Sequence, residues 1–130
     1  MKHYTSIEQS KKLLKLGLSA VSADLAWRNE RLGDRIKCFT PSFDTTCANW
    51  DKDLPCWSLG ALLEILPKNI RIVSTYYYYE LYASTKGYAI DFIDTDKLRK
   101  LHTVEEESLI EAVYNMIVWL FENGYIKKGE

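Results

Sequence analysis

Residues 70–93 constrain the fold of this chain more than any other stretch. Ile70 to Ala83 is dense in β-branched and aromatic residues and overlaps STYYYYELYAS (residues 74–84), which holds five of the nine tyrosines. That composition suits a pleated, half-buried strand. Thr85-Lys-Gly87 follows as a tight turn, with Gly87 free to take a positive φ. Tyr88 to Ile93 then returns, with Tyr88, Ile90 and Phe92 on one face. The expectation is a long hairpin over about 70–83 and 88–93.

Three helices are expected around it. Thr5 with Glu8, or Ser6 with Gln9, forms a capping box, which opens a helix over about 6–17 that Gly17 ends. Ser58 is a natural N-cap for a helix over about 58–66. Trp57 staples onto Leu62, the stripe is Leu59, Leu62, Leu63 and Leu66, and Pro67 is the stop. Thr103-Val-Glu-Glu106 reads as another capping box, opening a helix over about 104–122 with Leu109, Ala112, Val113, Met116, Ile117, Leu120 and Phe121 on its apolar face. Residues 20–37 fit strand or helical turn, Ile36 to Thr40 reads as a short strand, and 41–55 as a loop. The sum is an α+β domain, one unit over 1–130, with a small antiparallel sheet packed by three helices.

Composition removes several functions. With 130 residues the chain is the size of one domain. The net charge of −1 argues against general duplex-DNA binding, which needs a basic surface to displace counterions. No apolar run has the length of a membrane span. Met1-Lys-His-Tyr leads into a polar segment without a signal-peptide pattern. Cys38, Cys47 and Cys56 are odd in number and widely spaced, so reduced thiols in a cytoplasm are expected.

Chemical motifs are sparse. Zinc sites favour close ligand pairs, and these cysteines and His3 and His102 offer none. A Cys–His nucleophile has no local support. Asp91, Asp94 and Asp96 form an acidic run that reads either as a capped strand end or as the metal site of a hydrolase. Arg28, Arg31 and Arg35 read either as an anion site beside Trp27 or as partners of Glu30 and Asp34. No cofactor is expected and no catalytic residue is assigned.

The tyrosines carry the remaining hint. On an unbroken strand, Tyr77 and Tyr79 share a face with Arg71 and Thr75, and Tyr76, Tyr78 and Tyr82 share the other with Ile70 and Ile72. The isoleucine face reads as core, which leaves Tyr77 and Tyr79 exposed beside Arg71. Rings beside an arginine stack a base and hold a phosphate, and they also build protein interfaces. Core packing, a self-association surface and a small-ligand site all remain open. The ligand version uses Arg71, Tyr77, Tyr79, Trp27 and Arg28.

Three segments, SIEQSKKLLKLGL, PCWSLGALLEILP and EAVYNMIVWLFENGYI, together resemble a group of small uncharacterised proteins carried by phages and prophages of gut Bacteroidetes. The shared motifs are caps, a staple and helix stripes. The resemblance therefore implies an origin in a bacterial host and a fold. Small accessory phage proteins often act by binding, so it also sets the leading expectation. That is a non-enzymatic, self-associating protein of the host cytoplasm, acting in counter-defence. It would sequester a nucleotide-type host signal at an oligomer interface or block a host protein. A metal-dependent hydrolase using Asp91, Asp94 and Asp96, and a structural phage component, are the alternatives.

Overall fold

A computed structural model describes residues 3–30, 35–39, 53–96 and 99–127, with the side chains of 28–30 and 35–39 left out of the description. It is α+β, with three helices and two antiparallel sheets. The chain forms two compact units, residues 3–65 and residues 66–126.

In the first unit, α1 (Ile7–Leu16) uses the second of the two capping registers. Ser6 Oγ accepts from Gln9 N at 3.1 Å, and Gln9 Oε1 accepts from Ser6 N at 2.8 Å. Thr5 is spent elsewhere. It is fully buried, its hydroxyl pairs with Ser10 Oγ at 2.8 Å and accepts from Trp57 N at 3.1 Å. Gly17 closes the helix at φ 109°, a left-handed value that glycine adopts without a Cβ clash. The residues left open as strand or helix contain both, a 3-10 turn at Ala20–Ser22 and then β1 (Leu25–Glu30). β1 pairs with β2 (Arg35–Phe39) and β3 (Leu54–Cys56) in the order β2-β1-β3. Of the expected loop, residues 41–52 lie outside the described residues, as do residues 31–34. α2 (Leu59–Ile65) starts behind Ser58, whose Oγ accepts from Ala61 N at 3.1 Å. Trp57 and Leu62 are both fully buried, as the staple requires.

The second unit is a four-stranded sheet in the order β4-β5-β6-β7, crossed by one helix. β5 (Thr75–Ser84) and β6 (Gly87–Asp94) form the expected hairpin. Gly87 has φ 145°, and a Cβ there would lie 2.7 Å from the Glu107 backbone oxygen. No other residue fits that turn without moving backbone.

Two boundaries differ from expectation. The third helix, α3, runs Leu109–Glu122, not from 104. Residues Lys100–Glu106 are β7, paired with β6 from Tyr88 to Ile93. The cap is Ser108, whose Oγ accepts from Glu111 N at 3.3 Å. Pairing with β6 takes Thr103 to Glu106 into the sheet and overrides their local capping pattern. The apolar stripe of α3 is as expected. Ala112, Val113, Met116, Ile117 and Leu120 are fully buried, and the helix lies against β6 and β7.

The second difference decides which tyrosines face water. Ile70 to Ala83 is not one strand. β4 (Ile70–Ile72) ends in a two-residue turn, Val73-Ser74, and β5 begins at Thr75. The chain reverses there, so Ile70 lies opposite Tyr77 and Arg71 opposite Tyr76. Directly opposed residues of an antiparallel pair share a face. Ile70 and Tyr77 are accordingly both buried, whereas Tyr76, Tyr78 and Tyr82 are 41, 43 and 37% exposed. The expected face assignment is reversed. Tyr77 and Tyr79 point to the packed side and the other tyrosines to the outer side.

Candidate functional site in the four-stranded sheet

The residues expected to bind a ligand are divided. Tyr77 is buried opposite Ile70, and Tyr79 meets Phe92 edge-on at a centroid distance of 6.1 Å. Arg71 lies on the outer face. Its guanidinium carbon is 5.6 Å from the Tyr76 ring centroid, and its Nε donates to the Val73 oxygen at 3.0 Å. Arg71 and Tyr77 thus lie on opposite faces of the sheet. Trp27 belongs to the first unit. There its Nε1 donates to the Thr5 oxygen at 3.2 Å and its ring stands edge-on to Tyr4. Arg28 is on β1, and its side chain lies outside the described residues.

A recess of about 360 Å³ opens where β5 begins and β6 ends. Ser74, Thr75 and Tyr76 form one side of it, and Asp94, Thr95, Asp96 and Arg99 the other. Small-molecule pockets start at about 300 Å³. Asp94 is largely buried, while Thr95, Asp96 and Arg99 are exposed. Two backbone contacts fix the second side. Asp94 N donates to the Arg99 oxygen at 3.0 Å, and Arg99 N donates to Asp94 Oδ1 at 3.3 Å. The recess combines an aromatic wall, hydroxyls, two carboxylates and a guanidinium. That set suits a polar ligand with one flat face, hydroxyl or amine donors, and negative charge near Arg99.

Asp91, Asp94 and Asp96 were the metal site of the alternative hydrolase reading. Asp91 pairs with Glu80 and Asp94 with Tyr77 across β5 and β6, so the alternation of the strand sends them to opposite faces. Among the described residues no group of three metal-ligating side chains forms. Cys56 is a buried free thiol in the first unit, its Sγ donating to the Thr5 oxygen at 3.5 Å.

Asp91 has a different setting. Its side chain is fully buried on the outer side of β6. Oδ2 accepts from the Tyr82 hydroxyl at 2.9 Å and pairs with Lys100 Nζ at 3.2 Å. Oδ1 is buried with no hydrogen-bond partner among the described residues. A buried acceptor left dry costs about 1–3 kcal/mol, and more when charged. The hydrogen bond to Asp91 leads the effects that push the Lys100 ammonium up. Desolvation, followed by the hydrogen bond to Asp91, raises the Tyr82 phenol. Lys100 Nζ also sits 5.7 Å from the Tyr82 ring centroid.

On the packed side, His102 stacks on Trp119 of α3 at 4.2 Å with planes 3° apart, and Trp119 stacks on Tyr125. Desolvation lowers the His102 pKa from its ordinary value of 6.5.

No protein-family model, no curated protein and no solved structure matches the chain. Among the described residues no helix is long and apolar enough to cross a membrane.

Proposed function

We propose that this chain is a non-enzymatic binding protein that captures a nucleotide-type ligand in the recess beside Tyr76. The carrying observation is the Arg71 guanidinium stacked on Tyr76, itself a wall of a recess that also presents Arg99. A base stacks on Tyr76, while Asp96 accepts from sugar hydroxyls or a base amine. Arg99, with Arg71 behind the ring, balances phosphate charge. The recess has room for a mononucleotide. Tyr76 replaces Tyr77 and Tyr79 in this reading because the turn at Val73-Ser74 puts it on the accessible side.

The resemblance to phage and prophage proteins supplies the setting. In it, the protein acts in the host cytoplasm against a host defence, by sequestering a signal nucleotide. Self-association through the exposed Tyr78 and Tyr82 belongs to the same reading. Calorimetric titration with adenosine 5′-monophosphate, guanosine 5′-monophosphate and their cyclic dinucleotide counterparts tests it. Binding by one of them is expected, lost in Tyr76→Ala and in Arg99→Ala while the thermal midpoint is kept. No binding across the set, or equal binding by both variants, overturns the proposal.

A further inference from the structure

Resting on the nucleotide reading of the recess, we infer that the site selects a guanine base and that Asp96 is the residue that reads it. The wall formed by Asp94, Thr95, Asp96 and Arg99 carries two carboxylates, and only one is free to meet a ligand. Asp94 is 8% exposed and its Oδ1 accepts from Arg99 N at 3.3 Å, so it holds the turn. Asp96 is exposed and has no hydrogen bond or ion pair among the described residues. The Arg99 guanidinium has no partner among them either, so the free carboxylate and the free guanidinium of this wall are not paired with each other.

An ionised carboxylate accepts hydrogen bonds at both oxygens and donates none. Guanine alone among the common bases offers it two adjacent donors, N1–H and the N2 amine. Adenine sets a bare N1 beside its amine, cytosine a bare N3, and uracil one N–H between two carbonyls. Each of those three turns at least one acceptor toward the carboxylate, which repels it. A bidentate contact to an ionised group is stronger and more directional than a neutral one, so the match to guanine decides which base stays. The remaining groups agree with it. The hydroxyls of Ser74, Thr75 and Thr95 line the same recess, and each can donate to guanine O6. Arg99 stays with the phosphate, while the charge of Asp96 keeps the phosphate out of the base position. Stacking on Tyr76 is common to all bases and makes no choice among them.

The test is calorimetric titration of wild type and Asp96→Asn with the 5′-monophosphates of guanosine, inosine, adenosine and xanthosine. Wild type is expected to bind the guanosine nucleotide about ten-fold more tightly than the adenosine one. The inosine nucleotide keeps N1–H but lacks the N2 amine, and should fall between them. Xanthosine carries a carbonyl where guanosine has that amine, and wild type should refuse it. Asp96→Asn replaces one acceptor with a donor. It should lose the preference for guanosine over adenosine and gain binding of the xanthosine nucleotide, whose carbonyl the new amide meets. An Asp96 that only shapes the recess predicts no such exchange. Adenosine binding as tight as guanosine binding in wild type, or a guanosine preference unchanged in Asp96→Asn, overturns the guanine assignment and leaves the nucleotide reading in place. No binding of any of the four by wild type overturns both.

Discussion

Val73→Gly should stabilise the protein, although it removes a side chain and adds backbone freedom. Val73 is the first residue of a two-residue hairpin turn and has φ 58°, the sole non-glycine positive φ among the described residues. Hairpin turns with a positive φ only at that position are the type in which glycine belongs. A β-branched residue there carries about 1–2 kcal/mol of clash between Cβ and its own carbonyl. Glycine loses roughly 0.5–1 kcal/mol through the freedom of the unfolded chain. Val73 is 87% exposed, so losing its side chain forfeits little burial. The net gain is about 0.5–1 kcal/mol, or roughly 2–8 °C in the melting temperature of a unit this size. Thermal melts followed by circular dichroism measure it. Val73→Ala is the control, because alanine keeps the Cβ and most of the strain, and it should gain much less. A lower midpoint for Val73→Gly, or equal midpoints for the two variants, would refute the strained turn and with it the reversal that sorts the tyrosines.

Other outcomes follow from the same geometry. Tyr77→Ala should cost about 3 kcal/mol by emptying a packed site, whereas Tyr76→Ala should change stability by less than about 1 kcal/mol; urea unfolding of both variants separates the faces. Gly87→Ala should cost about 2 kcal/mol or more, because its Cβ meets the Glu106 and Glu107 backbone, and a denaturant midpoint reads the loss. His102 has a folded pKa below its unfolded value near 6.5, so the unfolded chain binds more protons between the two. Stability should therefore be full above about pH 6.5 and fall as the pH drops through the folded pKa, and His102→Gln should flatten that part of the profile.

The parts of this fold written locally were readable from the chain. Ser6 with Gln9, Ser58 behind Trp57, and Gly87 each carry their own stereochemical reason, and each sits where that reason puts it. The α3 stripe was equally plain, because seven apolar residues at helical spacing have one use. Its start was not. Thr103-Val-Glu-Glu106 and Ser108-Leu-Ile-Glu111 match the same capping pattern, and only the pairing of β7 with β6 selects the second. The Val73-Ser74 turn was hidden because valine is among the last residues local preference would place at positive φ. That one reversal changes the parity of every residue before it relative to those after it, which moved the accessible ring from Tyr77 to Tyr76. Arg71 lies beside a tyrosine, but the ring is that of the opposed Tyr76 and not Tyr77 or Tyr79, with which the sequence grouped it. The setting of Asp91 depends on Tyr82 and Lys100, brought from two neighbouring strands, and no spacing along the chain announces it.

The most direct test of the central claim is native mass spectrometry of wild type and Tyr76→Ala, each incubated with the small-molecule fraction of a bacterial extract and compared with its denatured mass. The account predicts added mass on the wild type, of nucleotide size, released on denaturation and absent from Tyr76→Ala. Bare protein in both samples, or the same added mass on both, would contradict it.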